Sequence, residues 1–223
     1  MATKPVAEVL LTELTFFYAN GACSLAPHIA LEEVGVPYTP QLVNTLGGEQ
    51  HTPAFLAVNP KARVPALRID GWVLTECPAI LAYIAQAYPA AGLWPATLDD
   101  QARAMEWMGW IASSVHITYA HIRRAERYAT GEDALANVRA QGQVSARAAW
   151  EAIEARLRPG AWAVGNAYSV VDIYLLVFWL WGRGAVLGYD MARDFQAWTG
   201  IAQRMATRPA VQRALAREGA ALP

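Results

Sequence analysis

Residues 14–28 read LTFFYANGACSLAPH, and in this stretch a short apolar strand gives way to a helix at a cysteine. Leu14 to Tyr18 has the composition typical of a buried strand, and the apolar run from Ala26 to Val34 predicts a helix. Cys23 stands between them, where the unpaired backbone N–H groups of a helix's first turn favour a thiolate over a thiol. Cys23 is therefore the first candidate for chemistry. The alternative is a small buried apolar residue, which is the usual role of a lone cysteine.

The rest of the first 88 residues alternates strand and helix patterns. Gln41 to Val43 predicts a second strand, which completes a βαβ opening. Asp70-Gly71 suits a two-residue hairpin turn and joins two candidate strands, Ala66 to Ile69 and Trp72 to Leu74. A helix is predicted from about Pro78 to Tyr88, because proline is well tolerated at the first helical position. The order βαβ then ββα predicts a small α/β domain.

Helical patterns alone follow the segment 89–95, which holds two prolines and a glycine and predicts a linker. Thr97 and Ser169 are expected helix N-caps, and Ser169 with Asp172 matches a capping box. Helices are predicted over residues 99–128, 132–158, 170–183 and 195–207. We therefore predict an α/β domain at residues 1–88 with an N-terminal extension at 1–13, a linker at 89–98 and an all-helical domain at 99–223.

The composition argues against several classes of partner. Among 223 residues, 18 basic and 19 acidic residues give a net charge of -1, without obvious blocks, so neither nucleic acid nor a membrane is an expected partner. Residues 1–13 lack the apolar run of a signal peptide, and the longest apolar stretch, Val170 to Trp181, is too short to span a bilayer. We therefore expect a cytoplasmic protein with a small-molecule ligand. The two cysteines are expected to be reduced thiols, and no zinc pattern or other metal site is predicted.

Two further motifs fall in the same α/β domain as Cys23. Pro65 stands just before a predicted strand, and a cis bond there would turn the Val64 backbone outward to pair with an extended peptide. Glu76-Cys77 stands at the start of a predicted helix, where unpaired N–H groups attract a carboxylate and the Glu76 side chain can hold an ammonium group. Together these groups suit the α-amino acid end of a ligand.

The order and spacing of four motifs resemble the cytosolic glutathione transferases, most closely the bacterial beta class. The resemblance covers the chain from Leu14 to about Gly219. It rests on Tyr18…GACSLAPHIAL (21–31), on NPK…VPAL (59–67), on LTE…AI (74–80) and on SV…DIYL (169–175). The family implies a thioredoxin-like N-terminal domain, an all-α C-terminal domain, a homodimer, and glutathione lying extended over the first domain as a cosubstrate.

The resemblance also assigns roles to individual residues. Cys23 would face the glutathione sulfur, and His116 matches the family's histidine that reaches from the helical domain toward the thiol. Val64 would pair its backbone with the tripeptide, and Pro65 would be the cis proline. The γ-glutamyl end would be held by Glu76 with Cys77. A pocket for the electrophile is expected between the domains, lined by Trp110, Tyr119 and Ala120.

Several positions depart from the family's pattern. Leu46 to Glu49 stand where relatives often place a lysine, and Gly109 and Ile117 stand where they often carry asparagine and lysine. Cys77 replaces a small residue, commonly Ser or Gly, and a thiol is a poorer hydrogen-bond donor than a hydroxyl. Arg123, Arg124 and Arg127 are candidates to replace the lost positive charge, with a solvated helix face as the alternative.

The leading hypothesis is a glutathione transferase that promotes attack of the glutathione thiolate on a small hydrophobic electrophile. Cys23 can instead form a mixed disulfide with glutathione, which gives thiol-disulfide exchange. The alternative is a non-catalytic glutathione-binding or scaffold protein on the same fold. His28 is a rival base to His116, but a histidine in the first turns of a helix more often packs or caps structure.

Overall fold

The computed structural model describes residues 13–158 and 160–220. Four strands form one sheet in the order β2-β1-β3-β4: β1 (Leu14–Tyr18), β2 (Thr39–Leu42), β3 (Ala66–Ile69) and β4 (Trp72–Thr75). β1 pairs with β2 in parallel, whereas β3 runs antiparallel to both β1 and β4. Asp70 and Gly71 both have positive φ, as a two-residue turn with the twist of a hairpin requires. The predicted βαβ then ββα order is confirmed.

Three helices accompany the sheet, and we call these elements together the sheet half. They are α1 (Leu25–Val34), α2 (Pro53–Leu56) and α3 (Cys77–Ala87). α1 connects β1 to β2 and packs against α3. The sequence prediction missed α2, a short helix that Thr52 caps by accepting a hydrogen bond from Phe55 N at 3.3 Å. It also placed β2 too late, because every residue of this edge strand is exposed and the strand carries no alternation of apolar residues.

Seven helices follow among the described residues, and we call them the helical half. They are α4 (Leu98–Trp110), α5 (His116–Arg123), α6 (Glu132–Leu157), α7 (Val170–Arg183), α8 (Met191–Asp194), α9 (Gln196–Ala206) and α10 (Pro209–Glu218). The predicted fold class, a thioredoxin-like domain followed by helices, is confirmed. Within residues 13–158 and 160–220, no helix combines the length and the apolar character that crossing a bilayer requires.

The long helix predicted over residues 99–128 is interrupted. α4 ends at Trp110, Ile111–Val115 forms a π-helical turn, and α5 begins at His116 before a 3₁₀ turn at Ala125–Arg127. Periodicity cannot resolve a single wide turn inside a continuous apolar stripe, which explains the difference. Such turns often occur at functional sites, and this one sets the direction of His116.

The helix α10 is absent from the sequence prediction, although it packs against α1 of the sheet half. Its buried face consists of Ala210, Val211, Ala214 and Leu215, and the same face carries the buried carboxylate of Glu218. The sequence prediction ended its last helix at residue 207 and did not use the apolar spacing of this face. Through α10 the end of the described chain returns to the sheet half.

The capping box predicted at α7 is confirmed. Asp172 accepts hydrogen bonds from Ser169 N at 2.9 Å and from Ala163 N at 2.8 Å, and the Ser169 hydroxyl accepts from Val171 N at 3.3 Å. Thr97 caps α4 by accepting from Asp100 N at 3.1 Å. The N-terminal extension predicted at residues 1–13 lies outside the described residues except for Glu13. The domain and linker boundaries stay predictions.

Candidate active site

Cys23 lies in the turn between β1 and α1, partly exposed, and its Sγ points at Val64 O at 3.8 Å. The turn is fixed by Ser24, whose buried hydroxyl accepts from Ala19 N and donates to Ala19 O, both at 3.1 Å. Gly21, at φ 67°, takes the left-handed conformation that closes the turn. The sequence placed Cys23 at a strand-to-helix junction, and the structure agrees.

Two side chains of the helical half form hydrogen bonds with the same turn at Gly21. Gly21 N donates to Glu218 Oε2 at 3.3 Å, and Gly21 O accepts from Trp181 Nε1 at 2.9 Å. Glu218 Oε1 also lies 2.8 Å from His28 Nδ1, and both side chains are fully buried. Burial raises the pKa of Glu218, and the hydrogen bond with His28 opposes that rise. His28 is therefore a packed structural histidine, as the sequence favoured.

The Val64-Pro65 bond is cis, as the sequence allowed. It lies just before β3, and the Val64 carbonyl faces the Cys23 sulfur at 3.8 Å. The loop before it is held by Asn59, which is 1% exposed, accepts from Lys61 N at 3.1 Å and donates to Arg63 O at 2.6 Å. The structure thus brings Cys23 and the cis proline motif together.

Glu76 immediately precedes α3 in a strained conformation with φ 75°, which non-glycine residues rarely adopt. Its carboxylate binds Lys61 Nζ at 2.5 Å, and the same ammonium contacts Thr75 Oγ1 at 2.6 Å. Lys61 therefore places a positive charge beside the Glu76 carboxylate, which the sequence analysis predicted to bind the ammonium group of a ligand. The sequence prediction missed this use of Lys61, although the residue lies in a recognised motif.

Cys77 is the first residue of α3, and its thiol is buried. Its Sγ donates to Cys23 O at 3.4 Å. Burial raises the pKa of Cys77, the neighbouring Cys23 adds to the rise, and Tyr174 of α7 opposes it. The contact of the Cys77 thiol with the Cys23 backbone was not predicted, because the two residues are far apart in sequence.

His116 lies at the start of α5 with its ring against two aromatic side chains of α7. The ring centroids are 5.1 Å from Trp181 and 5.7 Å from Phe178. Burial, together with the charges of Arg63 and Arg127, lowers the pKa of His116 to about 4, and the charge of Glu76 opposes this shift. His116 is therefore neutral at neutral pH. Two of the charges that act on this pKa, those of Arg63 and Glu76, belong to the segments that carry the cis proline and the start of α3.

The residues predicted for the electrophile pocket divide into two groups. Tyr119 stacks on Trp181 with centroids 4.3 Å apart, and buried Ala120 follows it on α5. Trp110 packs against Trp107 at 5.5 Å and against Arg156. The first group adjoins His116, whereas the place of Trp110 in a pocket stays a prediction.

Trp181 is the residue of this site that the sequence prediction overlooked most clearly. It contacts His116 and Tyr119 by its rings and Gly21 by its N–H group, so it connects both halves. The only signal in the sequence is its position near the end of the apolar helix α7. Among the described residues, no group of three or more metal-binding side chains comes together.

Comparison with known proteins gives the family. Residues 21–87 match the glutathione S-transferase N-terminal domain, and residues 118–209 match the C-terminal domain. Glutathione S-transferase GstA of Escherichia coli O157:H7 is 34% identical over 209 residues, 92% of this chain and 99% of that protein.

Two solved structures extend this comparison. A Sulfitobacter glutathione transferase homologue with bound glutathione has a TM-score of 0.85 and 34% identity, over 94% of this chain and 99% of its own. A beta class enzyme of Sphingomonas chungbukensis has a TM-score of 0.79 and 33% identity, over 93% and 100%. This chain belongs to the glutathione S-transferase family and is close in structure to its bacterial beta class.

Proposed function

We propose that the protein binds glutathione extended over its sheet half and promotes attack of the glutathione thiolate on a small hydrophobic electrophile. The observation that carries this proposal is the meeting of Cys23 with the cis Val64-Pro65 bond and with Cys77 at the start of α3. These three segments supply a thiol, a backbone edge and unpaired helical N–H groups, which are the groups that an extended thiol peptide needs.

The γ-glutamyl end of glutathione would bind at Glu76 and the backbone of Cys77. Its carboxylate suits the first N–H groups of α3, and its ammonium suits the Glu76 carboxylate. Lys61 Nζ lies on that carboxylate at 2.5 Å, so binding requires Lys61 to share or release Glu76. Both side chains are largely exposed, and an exposed ion pair of this kind is worth only about 0–1 kcal/mol. The competition with Lys61 therefore weakens binding without preventing it.

The glutathione sulfur would lie beside Cys23, close to the first turn of α1. Nucleophilic attack requires the thiolate, which the N–H groups of that turn and a thiol donor can stabilise. Because the pKa of His116 is about 4, this histidine brings no positive charge at neutral pH. The neutral His116 ring would form a hydrogen bond or pack against the bound substrates. Arg63 and Arg127 supply the positive potential felt at the ring.

The electrophile would lie against the stacked rings of Tyr119 and Trp181, beside His116. Flat apolar surfaces of this kind favour aromatic substrates. We keep Trp110 and Ala120 as proposed members of this pocket. A homodimer, which the family resemblance implies, and a cytoplasmic location, which the sequence predicts, belong to the same proposal.

Calorimetric titration with glutathione and steady-state conjugation of a chlorodinitrobenzene test the proposal. Loss of one hydrogen bond to a charged sulfur costs about 1.5–3 kcal/mol, so we expect Cys23→Ala to lower kcat/KM about tenfold or more. Assay of a glutathione mixed disulfide measures the second expected activity, thiol exchange through Cys23. If wild type shows no heat with millimolar glutathione and no turnover in either assay, the scaffold alternative replaces the transferase.

A further inference from the structure

We propose that Cys23 and Cys77 form a two-thiol redox pair, in which Cys77 displaces glutathione from a mixed disulfide on Cys23. The protein would then reduce glutathione disulfides and mixed disulfides by a two-thiol route. This inference rests on the proposed glutathione chemistry of Cys23. Neither cysteine belongs to a CxxC motif, so the pair exists only through the packing of α1 against α3.

The contact between the two cysteines is direct. Cys77 Sγ lies 3.4 Å from the backbone oxygen of Cys23, so the thiol of one cysteine contacts the main chain of the other. Both residues lie at the N-terminal ends of neighbouring helices, α1 and α3. Formation of a disulfide requires the Cys23 side chain to turn from Val64 O toward Cys77.

The two thiols differ in solvent exposure, and this difference assigns each of them a role. Cys23 is partly exposed, so a dissolved disulfide reaches it first, whereas Cys77 is buried. A buried thiol next to an exposed reactive thiol has the placement of a resolving cysteine. The alternative is that Cys77 only fills a small space at the start of α3. That alternative gives no role to the contact of the Cys77 thiol with Cys23 O.

The chemistry takes place in two displacements. The Cys23 thiolate attacks one sulfur of glutathione disulfide, forms the mixed disulfide and releases the other glutathione as its thiolate. Cys77 then attacks the Cys23 sulfur, its proton passes to the departing glutathione thiolate, and the Cys23–Cys77 disulfide forms. One glutathione disulfide is reduced to two glutathione thiols, while two protein thiols are oxidised to one disulfide.

Tyr174 supports the second displacement from the other side of Cys77. Tyr174 is buried and lowers the pKa of Cys77, so it favours the thiolate of Cys77 against the effect of burial. A pair of thiols whose reduced form is stabilised as a thiolate is a strong oxidant. Burial disfavours the thiolate of Cys77, so it keeps this pair from becoming strongly oxidising. The disulfide would also tie the start of α3, where we place the γ-glutamyl end, to the Cys23 turn.

The first experiment reacts the reduced protein with excess glutathione disulfide and counts bound glutathione by intact mass after acid quenching. Wild type is expected to carry no glutathione and to lack free thiols, with a peptide containing Cys23 linked to one containing Cys77. Cys77→Ser, the matched variant, is expected to retain one glutathione on Cys23. Cys77→Ala gives the same readout without a buried hydroxyl, and thermal melting verifies that both variants fold.

The second experiment uses a chromogenic nitrobenzoate disulfide, which needs no glutathione site. Wild type is expected to release two chromophores per chain, the second at a rate independent of reagent concentration because the step is intramolecular. Cys77→Ser is expected to release one and retain one. If this result appears while glutathione disulfide fails to react, the thiol pair stands and the proposed glutathione site fails. If wild type retains its adduct as Cys77→Ser does, the redox pair is overturned.

Discussion

Two buried carboxylates of the helical half, Asp172 on α7 and Glu218 on α10, find their partners in opposite ways. Asp172 accepts from Ser169 N at 2.9 Å and from Ala163 N at 2.8 Å, both close in sequence. Glu218 binds His28 at 2.8 Å and Gly21 N at 3.3 Å, both from the sheet half. Burial raises the pKa of both carboxyl groups, that of Asp172 to about 6.

The comparison separates two uses of the same chemical group. Asp172 satisfies the start of its own helix and stabilises the fold locally. Glu218 holds the turn that carries Cys23 and closes the contact between α10 and α1. We therefore expect loss of Asp172 to affect folding alone, and loss of Glu218 to affect both folding and the site.

The largest effect is expected for Glu218→Ala. The change leaves buried His28 without its partner, and removing one member of a buried pair costs about 3–5 kcal/mol in the free energy of unfolding. The Gly21 turn also loses a hydrogen bond, so kcat/KM per folded molecule should fall. Urea unfolding and steady-state assays measure the two effects. Glu218→Gln keeps an acceptor and should lie between the alanine variant and wild type.

Asp172→Ala is the matched test on the other side of the comparison. Loss of the cap and of two backbone hydrogen bonds should lower the free energy of unfolding by about 2–4 kcal/mol. The kcat/KM of the folded fraction should stay at the wild-type value, because Asp172 has no contact with the Cys23 turn among the hydrogen bonds of the described residues. A parallel fall in kcat/KM at full folding would remove the distinction between the two carboxylates.

The pH dependence of the free energy of unfolding allows a second comparison, between His116 and Asp172. The pKa of His116 is lowered from 6.5 to about 4 in the folded protein. Between these pH values the histidine is protonated in the unfolded chain and neutral in the folded chain. The free energy of unfolding therefore falls as pH falls from 6.5 toward 4. This loss is about 2 kcal/mol at pH 5. Asp172 acts in the opposite sense between pH 6 and 3.8, because its folded pKa is raised.

The His116 contribution is isolated by comparing wild type with His116→Gln at each pH. Urea unfolding should show the variant gaining about 2 kcal/mol relative to wild type between pH 7 and 5. His121→Gln controls for removal of a histidine from the same helix. A constant difference between wild type and His116→Gln across this range would contradict the lowered pKa.

The smallest effect is expected for Trp181→Phe, which keeps an aromatic ring but loses the hydrogen bond to Gly21 O. One such bond contributes about 1 kcal/mol. Trp179→Phe is a matched control, because Trp179 Nε1 donates to Thr199 Oγ1 at 3.0 Å within the helical half. Both variants should lose similar stability in urea unfolding. Only Trp181→Phe should change KM, and equal KM values for the two would argue against a role of Gly21 in the site.

The sheet half of the site was the easier part to predict. Cys23, Val64-Pro65 and Glu76-Cys77 each stand in a short motif at a strand or helix end, where neighbouring residues set the backbone direction. The helical half was predicted less completely. His116 came from the resemblance, whereas Trp181 and Glu218 had no local signal because their partners at Gly21 are 160 and 197 residues away.

The amino-acid sequence by itself determined the βαβ then ββα order, the hairpin turn and the cap of α7, since hydrophobic period, turn residues and capping act over a few residues. The tertiary structure alone decided that Cys77 touches Cys23, that Lys61 binds Glu76, and that Glu218 and Trp181 hold the Gly21 turn. These contacts join side chains distant in sequence. Such contacts depend on how whole helices pack, which no local pattern records.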